Sequence, residues 1–217
     1  MINIIPSILT NNPEEAKEMF WRCDGVVERV SFDIIDGKFA DNKTISPDVL
    51  FDIETTQKID YHLMVIEPVN WIERCVRGQA DRIIGQIERM SDQADFVGRV
   101  QEVGLQVGFA LDLDTPIKKI DPIILTNLDV VLVMSVKAGF GGQAFQYGVL
   151  EKVRKLDEMR KKDMTPFKIH VDGGVNFDNL NKIALAGADE VSIGRLIFKR
   201  NILENIRKFE EVLDKDN

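Results

Sequence analysis

The sequence predicts one (β/α)8 barrel spanning residues 1–217, on three observations. Short β-branched runs recur eight times and alternate with longer amphipathic segments, the signature of parallel βαβ units. Helix start signals fall between those runs. The chain, at 217 residues and 44% hydrophobic, is long enough for one closed barrel core, and no low-complexity tract, Ser/Pro-rich linker or charge block divides it.

In chain order the predicted strands are "INII", "VSFDII", "YHLMV", "RIIGQI", "QVGFAL", "VVLVMSV", "FKIHV" and "EVSIG". Each is bounded by Gly, Pro, Asn or Asp. Asn12-Pro13 reads as an N-cap followed by proline in the first helical turn, Pro68 opens "VNWIERCVRG", and Ser91-Asp92 caps "QADFVGRVQEVG". The basic segment "KVRKLDEMRKK" reads as a solvated helix face. "GQAD" ending at Asp81 and "AGAD" ending at Asp189 both precede a strand. That faint repeat is either half-barrel symmetry or a common helix-end turn.

The net charge of −8 would repel a nucleic-acid backbone or an anionic membrane surface, so any phosphate must be held by a local device. No apolar run approaches the ~20 residues of a membrane helix, the longest being "VVLVMSV". Cys23 and Cys75 lack disulfide-type spacing, and neither reads as a nucleophile. A cytoplasmic location with no nucleic-acid or membrane partner is therefore expected.

Barrel active sites are built at the C-terminal ends of the strands. Asp33, Asp36, His62, Ser135, Asp172 and Arg195 all fall at or just past predicted strand ends. "GFGGQAF" (139–145) follows the sixth strand and can turn backbone N–H groups toward an anion. "VDGGVN" adds Gly173 and Gly174 after the seventh, and "SIGR" adds Gly194 and Arg195 after the eighth. Loops after strands seven and eight, leading into helix N-termini, are where barrels commonly hold phosphate.

"PSIL", "FDIIDGKF", "HLMV" with "EP", "VLVMSVKAGFGGQAF", "VDGGVN" and "GADEVSIG" together resemble, in order and spacing, the ribulose-phosphate 3-epimerase family across almost the whole chain. The resemblance implies an enzyme that inverts C3 of a ketose phosphate, D-ribulose 5-phosphate to D-xylulose 5-phosphate, through a cis-enediolate, with a divalent metal (Zn, Fe, Mn or Co) steadying the intermediate. Its acid/base carboxylates fall on Asp33 and Asp172, and Asp33, His62 and Asp172 match metal ligands. Ser7, Met64 and Met134 match residues around the reacting carbons. Gly142, Gly173, Gly174 and Gly194 match phosphate-contacting backbone, joined here by Arg195. A homo-oligomer is expected.

The departures bear on chemistry. The family pattern His-x-Asp on the second strand reads Ser31-Phe32-Asp33, removing one imidazole ligand. Ile35 replaces a methionine, Lys137-Ala138 an Asn-Pro, Arg195 a serine and Gln86 a histidine. A carboxylate of reference pKa ~3.9 abstracts a proton beside a ketone only if the developing oxyanion is stabilised, and a Lewis-acid metal supplies several kcal/mol of that. Strand alternation puts His170 on the same side as Asp172 and one layer deeper. His170 is thus a candidate further ligand, its plainer reading being a hydrogen-bonded core histidine.

Two alternatives compete. "DGKFAD" (36–41) fits the D-x-K-x-x-D pattern of a related group of keto-acid sugar-phosphate decarboxylases, although it follows the second strand rather than the third. The other is a non-catalytic sugar-phosphate-binding barrel that has lost its metal with the imidazole missing at Ser31.

Overall fold

The computed structural model describes residues 2–214. Eight parallel strands close into a barrel in sequence order: β1 (Asn3–Ile8), β2 (Arg29–Ile35), β3 (Lys58–Met64), β4 (Arg82–Gln86), β5 (Gln106–Leu111), β6 (Val130–Met134), β7 (Lys168–Asp172) and β8 (Glu190–Ile193). Every strand read from the sequence forms. The helices are α1 (Pro13–Cys23), α2 (Ile72–Arg77), α3 (Gln93–Glu102), α4 (Pro122–Leu125), α5 (Val149–Asp163), α6 (Leu180–Leu185) and α7 (Ile202–Asp214).

The predicted caps work as expected at α1 and α3. The Asn12 side chain accepts from the backbone N–H of Glu14 at 3.0 Å, and Asp92 accepts from Asp95 at 2.9 Å. The segment opened by Pro68 differs. It begins as a 3₁₀ turn over Pro68–Trp71 before α2, because the Asn70 N–H closes back on the Glu67 carbonyl and no side chain caps the start. The α5 surface is largely solvated, except that Lys152 folds inward to donate to the carbonyls of Asp112 and Leu113, both at 3.0 Å.

The faint repeat resolves as a turn. Asp81, Asp129 and Asp189 each accept the backbone N–H of the second residue of the preceding strand, Ile59, Val107 and Ile169, at 2.7–2.8 Å. The device recurs three times around the barrel, including at Asp129, which lacks the repeat motif, so it marks how a helix returns to a parallel strand rather than a duplicated half.

Two apolar regions hold the barrel. The larger, between strands and helices, contains Phe20, Phe32, Tyr61, Phe96, Phe109 and Phe209, all fully buried. The smaller fills the upper lumen with Ile35, Met64, Ile84, Ala110, Leu132 and Met134. Cys23 and Cys75 are buried and unpaired, and burial pushes the Cys23 thiol up to about 12, so neither is a nucleophile at neutral pH. Among the described residues no helix is long and apolar enough to cross a membrane.

Candidate active site

Period-two alternation sends Ser7, Asp33, His62, Gln86 and Asp172 into the lumen near the C-terminal ends of five strands. Register places Asp33 beside His62 across the β2–β3 pair and Asp172 beside Met134 across β6–β7. The fully buried His62 directs Nδ1 between two carboxylates, 3.0 Å from Asp33 Oδ1 and 3.6 Å from Asp172 Oδ2. The Ser7 hydroxyl donates to Asp33 Oδ2 at 2.6 Å. Behind Asp33, the Thr44 hydroxyl donates to its carbonyl and accepts the Ile35 N–H, both at 2.8 Å.

The electrostatics follow from two acids sharing one imidazole. Burial alone would pull His62 down, but hydrogen bonds to Asp172 and Asp33 and their charges outweigh it and raise the ring to about 9. Burial, then the Asp33 charge, pushes Asp172 above the ordinary carboxylate range despite its contact with His62. Two acids thus face a single imidazole, and each shifts the other groups' protonation.

One ligand atom from each of Asp33, His62 and Asp172 lies within 4.8 Å of the others. One nitrogen and two carboxylate oxygens form the mixed donor set that suits Zn²⁺, Fe²⁺, Mn²⁺ or Co²⁺. The residues thus fit a divalent ion with three protein ligands.

His170 is not among them. Its Nε2 pairs with the Ser192 hydroxyl at 2.9 Å and its Nδ1 lies 3.5 Å from Glu190, because β8 offers it nearer partners one layer below the cluster. Burial keeps the ring neutral, its pKa pulled down to about 3. In the structure His170 is a fully buried histidine bonded to β8.

Above the cluster lies a cavity of ≈ 370 Å³, within the range of small-ligand sites. Its walls include Ser7, Asp33, Met64, Met134, Gly142, Asp172, Gly173, Gly174, Gly194 and Arg195, so every candidate except His170, Asp36 and Ser135 is gathered here, with His62 just beneath. The glycine loops converge tightly. Gly142 (φ 81°) packs against the Arg195 guanidinium, where an added methyl would lie 2.7 Å from Nη2, and Gly174 (φ 61°) backs onto the Phe145 N–H. The expected helix N-termini are replaced by hydrogen-bonded turns, over 195–198 after β8 and over 177–179 before the short α6.

Ser135 and Asp36 prove structural. The Ser135 hydroxyl donates to the Asp172 carbonyl at 3.0 Å and also contacts the Gly173 carbonyl, which fixes the end of β7. Asp36 accepts three backbone N–H groups, from Lys38, Phe39 and Ile66, at 2.7–2.8 Å. Lys38 is exposed and lines a separate groove with Lys43 and Arg74. The Asp-Lys-Asp array that a decarboxylase needs is not assembled: its first acid is occupied by the backbone and its lysine faces away from the cavity. Glu88 and Asp112, just past the ends of β4 and β5, accept the backbone N–H groups of Asp112 and Ala138 at 2.8 Å beside the site, a role the sequence pattern does not mark.

Fold and site define a closed α/β barrel whose lumen holds two carboxylates and one imidazole at the floor of a cavity rimmed by glycine loops. The ribulose-phosphate 3-epimerase family model matches residues 3–198, and the chain belongs to that family. It is 36% identical over 205 residues to ribulose-phosphate 3-epimerase 2 of Cupriavidus necator, covering 91% of this chain and 84% of that one. It is 32% identical over 208 residues to the Bacillus subtilis ribulose-phosphate 3-epimerase, covering 91% and 93%. Among solved structures, a KGPDC from Streptococcus mutans superposes with TM-score 0.73 at 15% identity, covering 99% of this chain and 98% of that one. A 3-keto-L-gulonate-6-phosphate decarboxylase from Vibrio cholerae gives TM-score 0.71 at 11% identity, covering 99% and 97%. At those identities the likeness extends to the barrel alone. The chain is an epimerase.

Proposed function

We propose that the protein inverts C3 of a ketose phosphate, D-ribulose 5-phosphate to D-xylulose 5-phosphate, by proton transfer between Asp33 and Asp172. The observation that carries this reading is the convergence of those two carboxylates and His62 at the floor of a cavity rimmed by three glycine loops.

The phosphate would sit on the backbone of Gly142, Gly173, Gly174 and Gly194, with Arg195 adding charge at the rim. That anchors one end of the sugar and lowers the carbonyl region onto the cluster. Ser7, Met64 and Met134 enclose the reacting carbons and exclude water, which strengthens every charge interaction below. Asp33, held on one oxygen by Ser7 and on the other by His62, accepts the C3 proton. Asp172, which burial biases toward its protonated form, returns a proton to the opposite face, and the two exchange roles in the reverse direction. A divalent ion held by Asp33, His62 and Asp172 would supply the Lewis acidity that steadies the developing enediolate charge.

Ser31 favours a second reading, in which the ligand set has been reduced and the barrel binds without turnover. Incubating purified protein with ribulose 5-phosphate and Zn²⁺, Fe²⁺, Mn²⁺ or Co²⁺ separates the two. Xylulose 5-phosphate formation is the expected result, and saturable binding with no product under all four ions would establish the second reading instead.

A further inference from the structure

The loop after β6 brings Gly139, Gly141 and Gly142 to one wall of the cavity. Glycine backbone loses more conformational freedom on ordering than any other, so a loop left free would place that loss on the ligand that fixes it. Here side chains hold it beforehand. The Ala138 N–H donates to Asp112 Oδ1, Asn42 Nδ2 donates to the Gly139 carbonyl, and Gln143 Nε2 donates to the carbonyls of Lys137 and Phe140, all at 2.7–2.8 Å.

Asp112 is itself gripped from several sides. Its N–H donates to Glu88 Oε1, and its Oδ1 also accepts the Leu113 N–H, both at 2.8 Å. Lys152, near the start of α5, donates from Nζ to the carbonyls of Asp112 and Leu113, both at 3.0 Å. The chain just before the glycines, at Ala138, and the helix that follows the loop, at Lys152, are thus tied to one residue past the end of β5.

Ala138 makes this tie possible. It stands where the family pattern has proline, and proline has no N–H to donate. A proline ring restrains the backbone by itself, whereas this chain restrains it through a carboxylate at the neighbouring strand's end.

We propose that Asp112 is a positioning residue for the phosphate end of the substrate: through the Ala138 N–H it seats the loop that carries Gly139–Gly142, and so sets phosphate affinity without touching the reacting carbons. The inference rests on the sugar-phosphate reading of the cavity given above. A grip on a remote part of the substrate, equal in ground and transition states, acts on KM and leaves kcat alone.

The test is a double-mutant cycle. Its readouts are KM and kcat for ribulose 5-phosphate with Mn²⁺ present, and the calorimetric Kd for inorganic phosphate, which applies even without turnover. Asp112→Ala should raise KM by about tenfold with kcat retained, and weaken phosphate binding in parallel, because a hydrogen bond to a charged acceptor is lost. Asp112→Asn keeps an acceptor oxygen in the same place and should restore most of the affinity. Ala138→Pro removes the donor, so adding Asp112→Ala to it should change KM by less than about twofold. Urea midpoints establish that each variant is folded. Equal losses from Asp112→Ala in both backgrounds, or an Asp112→Asn variant as impaired as Asp112→Ala, would overturn the positioning role. Phosphate binding in wild type that Asp112→Ala leaves unchanged would overturn this inference alone. Wild type that binds neither phosphate nor ribulose 5-phosphate would overturn the reading of the cavity and this inference with it.

Discussion

The two ends of the barrel lumen hold charge in opposite ways. At the N-terminal ends of the strands, the nearly inaccessible Arg82 bridges Asp60 and Glu190, Arg29 also pairs with Asp60, and Lys168 reaches Glu190 at 2.8 Å. Three cations there answer two acids, and burial, which would raise Glu190, is outweighed by Arg82 and its neighbours, bringing the carboxyl down to about 2. At the C-terminal ends, two acids share one imidazole. The lower cluster is complete within the protein and serves stability. In the upper one two acids face a single imidazole, the arrangement that the proposed ion-binding and proton-transfer role requires.

The largest expected effect sharpens that contrast at the upper end. Stripping divalent ions with a chelator should lower epimerase turnover by roughly 10²-fold or more, with recovery on adding back Zn²⁺ or Mn²⁺. Unchanged turnover after chelation would mean the cluster works on its own charges.

Stability should respond in the opposite sense at the two ends. Glu190→Gln leaves Asp60 alone to balance Arg82 and Arg29 and leaves Lys168 without its acid, and should cost about 3–5 kcal/mol in urea unfolding. Asp172→Asn, measured without metal, should not destabilise the protein, because it removes one of two carboxylates crowded together. Equal losses in both variants would break the comparison.

The pH response comes from the same place. His170 takes up a proton near 6.5 when unfolded but only near 3 when folded, so the unfolded chain binds more protons between those values and stability falls as pH drops through that window. Glu190 acts lower down: its contribution is present above its unfolded value of 4.5 and is lost as pH falls toward 2. Through these two groups urea midpoints should decline below pH 6.5, with Asp172, whose folded value is raised, acting in the opposite sense as pH falls toward its unfolded 3.8. His170→Asn, which cannot titrate, should flatten the upper part of that decline. The smallest effect belongs to the rim, where Arg195 is exposed. Arg195→Ala should raise KM by about fivefold with kcat retained, the scale of a solvent-screened ion pair of ~1 kcal/mol.

How much of this the sequence discloses depends on whether the signal is periodic. All eight strands are legible because each is a β-branched run between turn residues, and the strand-end rule finds Asp33, His62 and Asp172 without reference to packing. His170 shows its limit. Alternation places it in the lumen, as the structure does, but its partner is chosen by the neighbouring strand, and Ser192 on β8 is closer than the ion cluster. Asp36 passes the same rule yet is committed to three backbone donors from two loops, a tertiary arrangement that spacing does not encode. Gln86 reads from sequence as a missing histidine. Only the positions of His62, Glu88 and Ala110 reveal a directional amide in its place.

The central claim is that Asp33 and Asp172 pass a proton across one carbon of the bound sugar. ¹H NMR of ribulose 5-phosphate in D₂O follows that step directly, as deuterium enters C3 during interconversion. Wild type loaded with a divalent ion should exchange C3 and accumulate xylulose 5-phosphate, whereas Asp172→Asn should bind the sugar phosphate without inverting it. Full inversion in Asp172→Asn, or product formed by wild type with no deuterium at C3, would contradict the account.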